Sequence, residues 1–305
     1  MGDVVANGAQ VGPPKADANG LARSEEETGF RPDEPGVGEE SFDDASDSSL
    51  GQEVEALLSE MRKAITDLGL SGDAYKGPDL MRFLRARSNN VKKASKLFVD
   101  HENFRKTFCP KGYISEDEVA NELAAKKATL QGLDKEGHPL SIGCTKYHIA
   151  AKRDLEEFKR FLVYSLDKII AAMPPGVEQF VSFLDLTGIG YSNLDSAALR
   201  HIFDFLQGYY PERLSKLYFL NAPFIFGTIW KVVSPFIDAR TRKKIIFCTT
   251  KNLADTFLPH VDLKIVPAEY GGSGSFIYIQ DYYVPGYAPD EEKRAKPTQA
   301  SSVSV

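Results

Sequence analysis

Cysteine is scarce in this chain of 305 residues: only Cys109, Cys144 and Cys248 occur, far apart and odd in number. That pattern supports neither a disulfide framework nor a zinc site, and it suits three half-buried thiols in a reducing compartment. Histidine is as sparse, and His101, His138, His148, His201 and His260 fall at no metal-ligand spacing. No phosphate-binding GxxxxGK[ST], no GxSxG and no HExxH is present. GIGYSN at 188–193 sits between a strand pattern and a helix pattern, as a dinucleotide loop would. Asn193 replaces its third glycine, however, and the region about 20 positions on is helical around Asp204 rather than the acidic end of a strand. It reads as a strand-to-helix turn. The sequence thus offers no catalytic constellation and calls for no cofactor and no metal.

Long apolar runs are missing too. No stretch reaches the roughly 18 residues of a spanning helix. The N-terminus has no apolar secretory core, and Ala6 stands where a myristoylation signal takes Ser or Thr. The expectation is a soluble, cytoplasmic protein. Its charge is unevenly placed. Residues 1–50 hold 12 acidic and three basic side chains, net −9, and the remainder is net +3. A body that is only mildly basic excludes nucleic acid as a partner and suits an anionic membrane surface.

What is present falls into four parts. Residues 1–50 are rich in Gly, Pro, Ser, Asp and Glu and lack an apolar period, so they are expected to be a disordered acidic tail. From Gln52 a helical period begins (Val54, Leu57, Leu58, Met61, Ile65, Leu68). Pro78 and Asp79 open a second helix through RFLRAR (82–87), and Val91 to Lys106 form a third. Residues 51–125 therefore read as a helical lobe with a basic outer face. From about Ala128 strand and helix alternate: a hairpin over 128–144, a helix over 154–173, a strand over 180–186, a helix over 195–208, a strand over 215–223, a helix over 224–237, a strand over 245–248 and a helix over 252–260. This predicts an α/β domain, residues 126–275, on a mixed, largely parallel sheet flanked by helices. Residues 276–305 form an extension with no legible role.

The segment PFIFGTIWKVVSPFI (223–237) carries one charge, Lys231, and is apolar nearly all round. A helix of that kind is either buried in the core or covers an apolar ligand on one side while meeting a membrane on the other. The basic run ARTRKK (239–244) that follows fits an anionic lipid surface or a solvated turn.

RFLRAR (82–87), FLDLTG (183–188), YYPERL (209–214), LYFLNAP (217–223), SPFID (234–238), KKIIF (243–247) and PAEYGG (267–272) occur in one order along the chain. Together they resemble the CRAL-TRIO lipid-binding family, and within it the fungal and plant phosphatidylinositol transfer proteins. The resemblance implies a non-enzymatic, monomeric carrier that encloses one phospholipid in an apolar pocket and exchanges it at the membrane through a mobile helical gate. Enclosure agrees with physics: at roughly 0.8 kcal/mol per CH₂, two acyl chains resist water by roughly 20 kcal/mol or more. The family's headgroup positions fall on Arg87, Glu212, Arg213, Thr241 and Lys244, although a structural Glu212–Lys244 or Glu212–Arg213 ion pair accounts for those residue types as well. The gate falls on 223–243, with Phe224, Phe226, Ile229, Trp230, Val233 and Phe236 as gate and membrane contacts. Two departures stand out. Ser88 takes the place of a frequent lysine after RAR. Ser141, Phe180 and Ser182 stand where the family holds a phosphatidylcholine headgroup with a tyrosine and two hydroxyls. The resemblance thus implies phosphatidylinositol as ligand, with another hydrophobic molecule, sterol-like or tocopherol-like, or a lipid-sensing adaptor role as the alternatives.

Overall fold

The computed structural model describes residues 47–295. The expected acidic tail lies almost wholly outside the described residues. The first helix, α1 (Asp47–Asp67), begins inside that stretch, ahead of Gln52. Residues 47–51 contain one apolar side chain, Leu50, so the period that marks the helix does not reach back into them. With α2 (Gly77–Ala86) and α3 (Val91–Phe108) it forms the helical lobe. Pro78 starts α2 where its missing N–H costs nothing, and the Asn90 side chain caps α3 by accepting the Lys93 amide at 3.0 Å. Leu58, Met61, Ile65, Leu80, Phe83, Leu84, Ala94 and Phe98 close a core of their own. The lobe's basic face needs one correction: Arg82 is buried, pairing with Asp79 at 2.8 Å.

A short helix, α4 (Ala120–Ala124), leads into a five-stranded sheet of order β1-β2-β3-β4-β5. Its strands are β1 (Ala128–Leu133), β2 (Pro139–Cys144), β3 (Phe180–Asp185), β4 (Leu214–Leu220) and β5 (Ile245–Cys248). β1 and β2 are an antiparallel hairpin and the other pairs are parallel. The parallel pairs demand crossovers. These are α5 (Leu155–Ala171), α6 (Ser196–Gly208) and the segment holding α7 (Phe226–Val233) and α8 (Ala239–Lys243).

Alternation along the strands separates two faces. Val181 and Phe183 join Leu140, Ile142, Tyr218 and Leu220 under Phe257, Val261, Val266 and Tyr270. On the other face Phe180, Leu217 and Phe219 pack with α5, α6 and α7 through Phe161, Phe203, Phe226 and Trp230. The helix expected over 252–260 is two pieces, α9 (Leu253–Thr256) and a 3-10 turn (Leu258–His260). Pro259 supplies no amide and disfavours the α conformation at Leu258. The helix expected over 224–237 likewise ends at Val233, and Pro235 carries a 3-10 turn through Phe236.

The C-terminal extension acquires a place. Residues 277–279 run along the free edge of β1, with Leu130 N–H donating to the Ile277 carbonyl and Ile279 N–H to that of Ala128, both at 3.0 Å. The chain then reaches α10 (Ala288–Ala295) against α5, where Lys168 and Asp290 meet at 2.6 Å.

Candidate functional site

Between the sheet and α5, α6 and α7 lies a cavity of about 1240 Å³, counting the part open to solvent. Leu162, Leu166 and Ile169 of α5, Leu199 and Leu206 of α6, Phe180, Leu184, Leu217 and Phe219 of the sheet, and Phe226 and Ile229 of α7 make its walls. Gly143 keeps the floor open: a Cβ there would meet the Leu184 side chain at 2.5 Å.

The segment 223–237 resolves into two faces. Phe226, Trp230 and Val233 point inward, and Trp230 packs within ring contact of Phe203, Phe219, Phe226 and Phe247. Phe224, Val232 and Phe236 are 75%, 59% and 51% exposed, with the Arg200 guanidinium 3.5 Å from the Phe236 ring centre. Of the six gate residues read from the sequence, Phe226 is therefore on the cavity wall, Trp230 and Val233 are buried in the core beside it, and Ile229 is half-buried on the cavity. Only Phe224 and Phe236 face out, joined by Val232. Trp230→Ala should cost about 3–5 kcal/mol of stability, as large-to-small core changes do. A Phe224→Asp, Val232→Asp double variant should instead lower co-sedimentation with anionic vesicles and leave the melting temperature nearly unchanged. Vesicle binding equal to wild type would remove this face from membrane contact.

A second, smaller cavity of about 390 Å³ shares Leu206 and Leu214 with the first. Arg87, Glu212, Thr241, Lys244, Asp238 and Arg240 line it. Four of the five predicted headgroup residues are thus brought together. Glu212 sits in the left-handed region at φ 58°, a backbone cost of about 1–3 kcal/mol that surrounding contacts must hold. Its carboxylate meets Lys244 Nζ at 3.2 Å and Arg240 at 3.6 Å. Lys244 also donates to the Leu214 carbonyl at 2.7 Å. The Glu212–Lys244 pair allowed by the sequence is therefore formed. The Thr241 hydroxyl donates to Asp238 at 3.0 Å, so it enters the site as an acceptor. Arg87 donates to the Ala86 carbonyl at 3.0 Å and, among the described residues, pairs with no carboxylate.

Arg213 is the exception. Glu212 turns into this cavity, but Arg213 lines a different one behind Tyr210 and Pro211, with Arg82, His101, Arg105 and Asp167. There it donates to the Glu178 carbonyl at 3.1 Å, and burial followed by the Arg82 charge lowers its pKa to about 10. Consecutive residues around a left-handed turn diverge, and sequence spacing gives no warning of that. Arg240 is the residue that sequence reasoning left out. It hydrogen-bonds Ser88 Oγ at 3.0 Å and the Arg85 carbonyl, so it bridges the helical lobe to the segment holding α7 and α8. Its signal was its place in ARTRKK opposite a Ser88 that had lost the lysine.

The opposite end of the large cavity is also polar. Lys127, Thr145, His148, Asn193 and Asp195 line it, beyond the C-terminal ends of β2 and β3. Asn193, the residue that spoils the glycine motif, ties this end together by donating to the Lys146 and His148 carbonyls at 3.0 and 2.8 Å.

Comparison with known proteins agrees with this architecture. The family described as CRAL/TRIO domain matches residues 123–272. Patellin-6 of Arabidopsis thaliana is 29% identical over 73% of this chain and 58% of its own length. Phosphatidylinositol transfer protein CSR1 of Eremothecium gossypii is 26% identical over 65% of this chain and 47% of its own. The chain thus spans less than two thirds of either relative. The crystal structure of Sfh5 shares the fold, at a TM-score of 0.58 and 18% identity over 84% of this chain and 98% of that one. Among the described residues no helix is long and apolar enough to cross a membrane. An apolar cavity walled by α5 to α7 on a mixed sheet, and a family match over that same region, identify residues 123–272 as a CRAL/TRIO domain, the unit of a lipid-binding and lipid-transfer family.

Proposed function

We propose that this protein is a non-enzymatic carrier of phosphatidylinositol. The carrying observation is the adjacency of the two cavities, which share Leu206 and Leu214 in their walls: beside an apolar space lies a polar one lined by Arg87, Arg240 and Lys244 with Glu212 and Asp238. Acyl chains fill the first and the inositol phosphate occupies the second. There Arg87 and Lys244 give charge-assisted hydrogen bonds to the phosphate, and Glu212 accepts from sugar hydroxyls while orienting Lys244. The named activity of CSR1 supports the same ligand. The protein acts in the cytoplasm as a monomer that touches membranes transiently. The α7–α8 segment is its gate, because the chains leave water only if opening occurs at the bilayer.

The competing headgroup tests this reading. Phe180 is buried on the cavity wall, and a phenyl ring supplies no hydrogen bond to a phosphocholine. Loading from vesicles with equal labelled phosphatidylinositol and phosphatidylcholine should favour phosphatidylinositol by about tenfold, near the 1.4 kcal/mol of one lost polar contact. Equal loading overturns the assignment.

A further inference from the structure

The cavity behind Tyr210 and Pro211 stands apart from the lipid space. It measures about 480 Å³, counting the part open to solvent, and shares no lining residue with the large apolar cavity. Arg82 of α2 and His101 and Arg105 of α3 line it together with Asp167 of α5 and Arg213. It therefore lies where the helical lobe packs on the sheet domain, and it carries three guanidiniums against one carboxylate.

The nearby carboxylates are already committed. Asp79 pairs with Arg82 at 2.8 Å, and Glu178 with Arg85 at 2.6 Å and Arg82 at 3.5 Å. Asp167 pairs with Arg105 at 2.7 Å and accepts the Tyr210 hydroxyl at 2.8 Å. Arg213 is the cation left over. Its Nη1 donates to the Glu178 carbonyl at 3.1 Å and weakly to the Met173 sulfur at 3.8 Å, and among the described residues it pairs with no carboxylate. A guanidinium has five donors to place.

His101 and Arg213 both record the resulting positive field. Burial and then the Arg105 charge lower the His101 pKa to about 4, and burial and then the Arg82 charge lower that of Arg213 to about 10. The His101 imidazole is therefore neutral near pH 7. Its Nδ1 is buried with no hydrogen-bond partner among the described residues, which costs stability until a partner arrives.

These two needs select one chemistry. A surplus guanidinium takes an anion with paired oxygen acceptors. A neutral imidazole nitrogen takes a group that matches its tautomer. Hydrogen phosphate meets both, since its oxygens accept from Arg213 and either an oxygen or its P–OH serves Nδ1. Acyl chains in the large cavity meet no wall of this one, so the phosphate is a free ion and not a lipid headgroup.

We propose that this cavity is a binding site for a free phosphate-class anion, with Arg213 and His101 as its recognition residues and Arg82 and Arg105 beside them. Bound there, the ion ties α2 and α3 to α5 and to the Tyr210–Pro211 turn. The proposal is independent of which lipid the protein carries.

Equilibrium dialysis of the full chain against labelled inorganic phosphate, with ionic strength held constant by chloride, should show saturable binding at a single site. The melting temperature should rise with phosphate and not with chloride. Arg213→Gln should weaken phosphate binding by about tenfold or more, as loss of a charge-assisted contact does. His101→Phe keeps a ring in place and removes both nitrogens. It should weaken binding several-fold, and it carries the test if Arg213→Gln does not fold. Lys244→Ala, in the headgroup cavity, should bind phosphate within twofold of wild type. No saturable binding by the wild type, or wild-type affinity in every Arg213 and His101 variant that folds, overturns the proposal. Loss of phosphate binding in Lys244→Ala overturns it too, by placing the ion in the headgroup cavity. Displacement of bound phosphate by phosphatidylinositol vesicles does the same, by making the site a headgroup site. Phosphatidylinositol transfer by Lys244→Ala bears on the lipid reading alone, so the two readings fail separately.

Discussion

Lys244→Ala should reduce phosphatidylinositol transfer by 30-fold or more, because a phosphate in a half-buried mouth loses its charge partner at a cost of about 2–5 kcal/mol. The geometry enlarges the effect beyond one contact. Lys244 and Arg240 share the Glu212 carboxylate at 3.2 and 3.6 Å. Without Lys244 that carboxylate faces the phosphate with one cation fewer, and Glu212 loses a contact that holds its left-handed backbone. Folding should suffer less, since the empty mouth can hydrate the Glu212 carboxylate that Lys244 leaves behind. Arg213→Ala provides the contrast. It lies behind the Tyr210–Pro211 turn, so it should lower the melting temperature and leave selectivity for phosphatidylinositol over phosphatidylcholine intact. Transfer assays and thermal unfolding on both variants separate the roles. Wild-type transfer by Lys244→Ala would sink the headgroup assignment.

The divergence of Glu212 and Arg213 also marks where sequence reasoning ran out. Strands were legible because their signal is local: Ile245–Cys248 falls where the four-residue apolar run stands, and Phe180–Asp185 ends one residue short of the expected boundary. Helices broken by proline were read too long, at Pro235 and Pro259, because apolar composition continues across the break. The mouth was legible as a set of residue types, since Arg87, Glu212, Thr241 and Lys244 stand in motifs with a fixed order. Direction was not. Whether a side chain in 223–237 faces cavity or solvent depends on which side of α7 meets Phe219 and Phe247, a tertiary fact that an all-apolar sequence does not encode. The polar far end of the cavity was missed for a related reason. Lys127, His148 and Asp195 come from three separate connections and meet only because β1 and α6 begin, and β2 ends, at the same end of the sheet.

The extension after residue 275 was likewise silent in sequence, since Asp290 sits in a polar run, DEEKR, that looks solvated. In the fold Asp290 is a buried half of an interior ion pair. It is 4% exposed and meets the fully buried Lys168 ammonium at 2.6 Å, and it also accepts the Val284 amide at 2.7 Å. Asp290→Ala should cost about 3–5 kcal/mol, because it strands a charge in the interior. For a domain of this size that lowers the melting temperature by roughly 6–20 °C, at about 2–4 °C per kcal/mol. Lys168→Met combined with Asp290→Leu should recover most of the loss, since an apolar pair of similar volume replaces a desolvated ion pair at little net cost. The consequence reaches the cavity. Lys168 lies on α5, the helix whose Leu162, Leu166 and Ile169 wall the lipid space, so the extension clamps that wall from outside. Asp290→Ala should therefore also raise the rate at which bound lipid is lost, and the double variant should restore it. An Asp290→Ala protein that melts within a degree or two of wild type would show that the clamp is dispensable and that α5 is held by its sheet contacts alone.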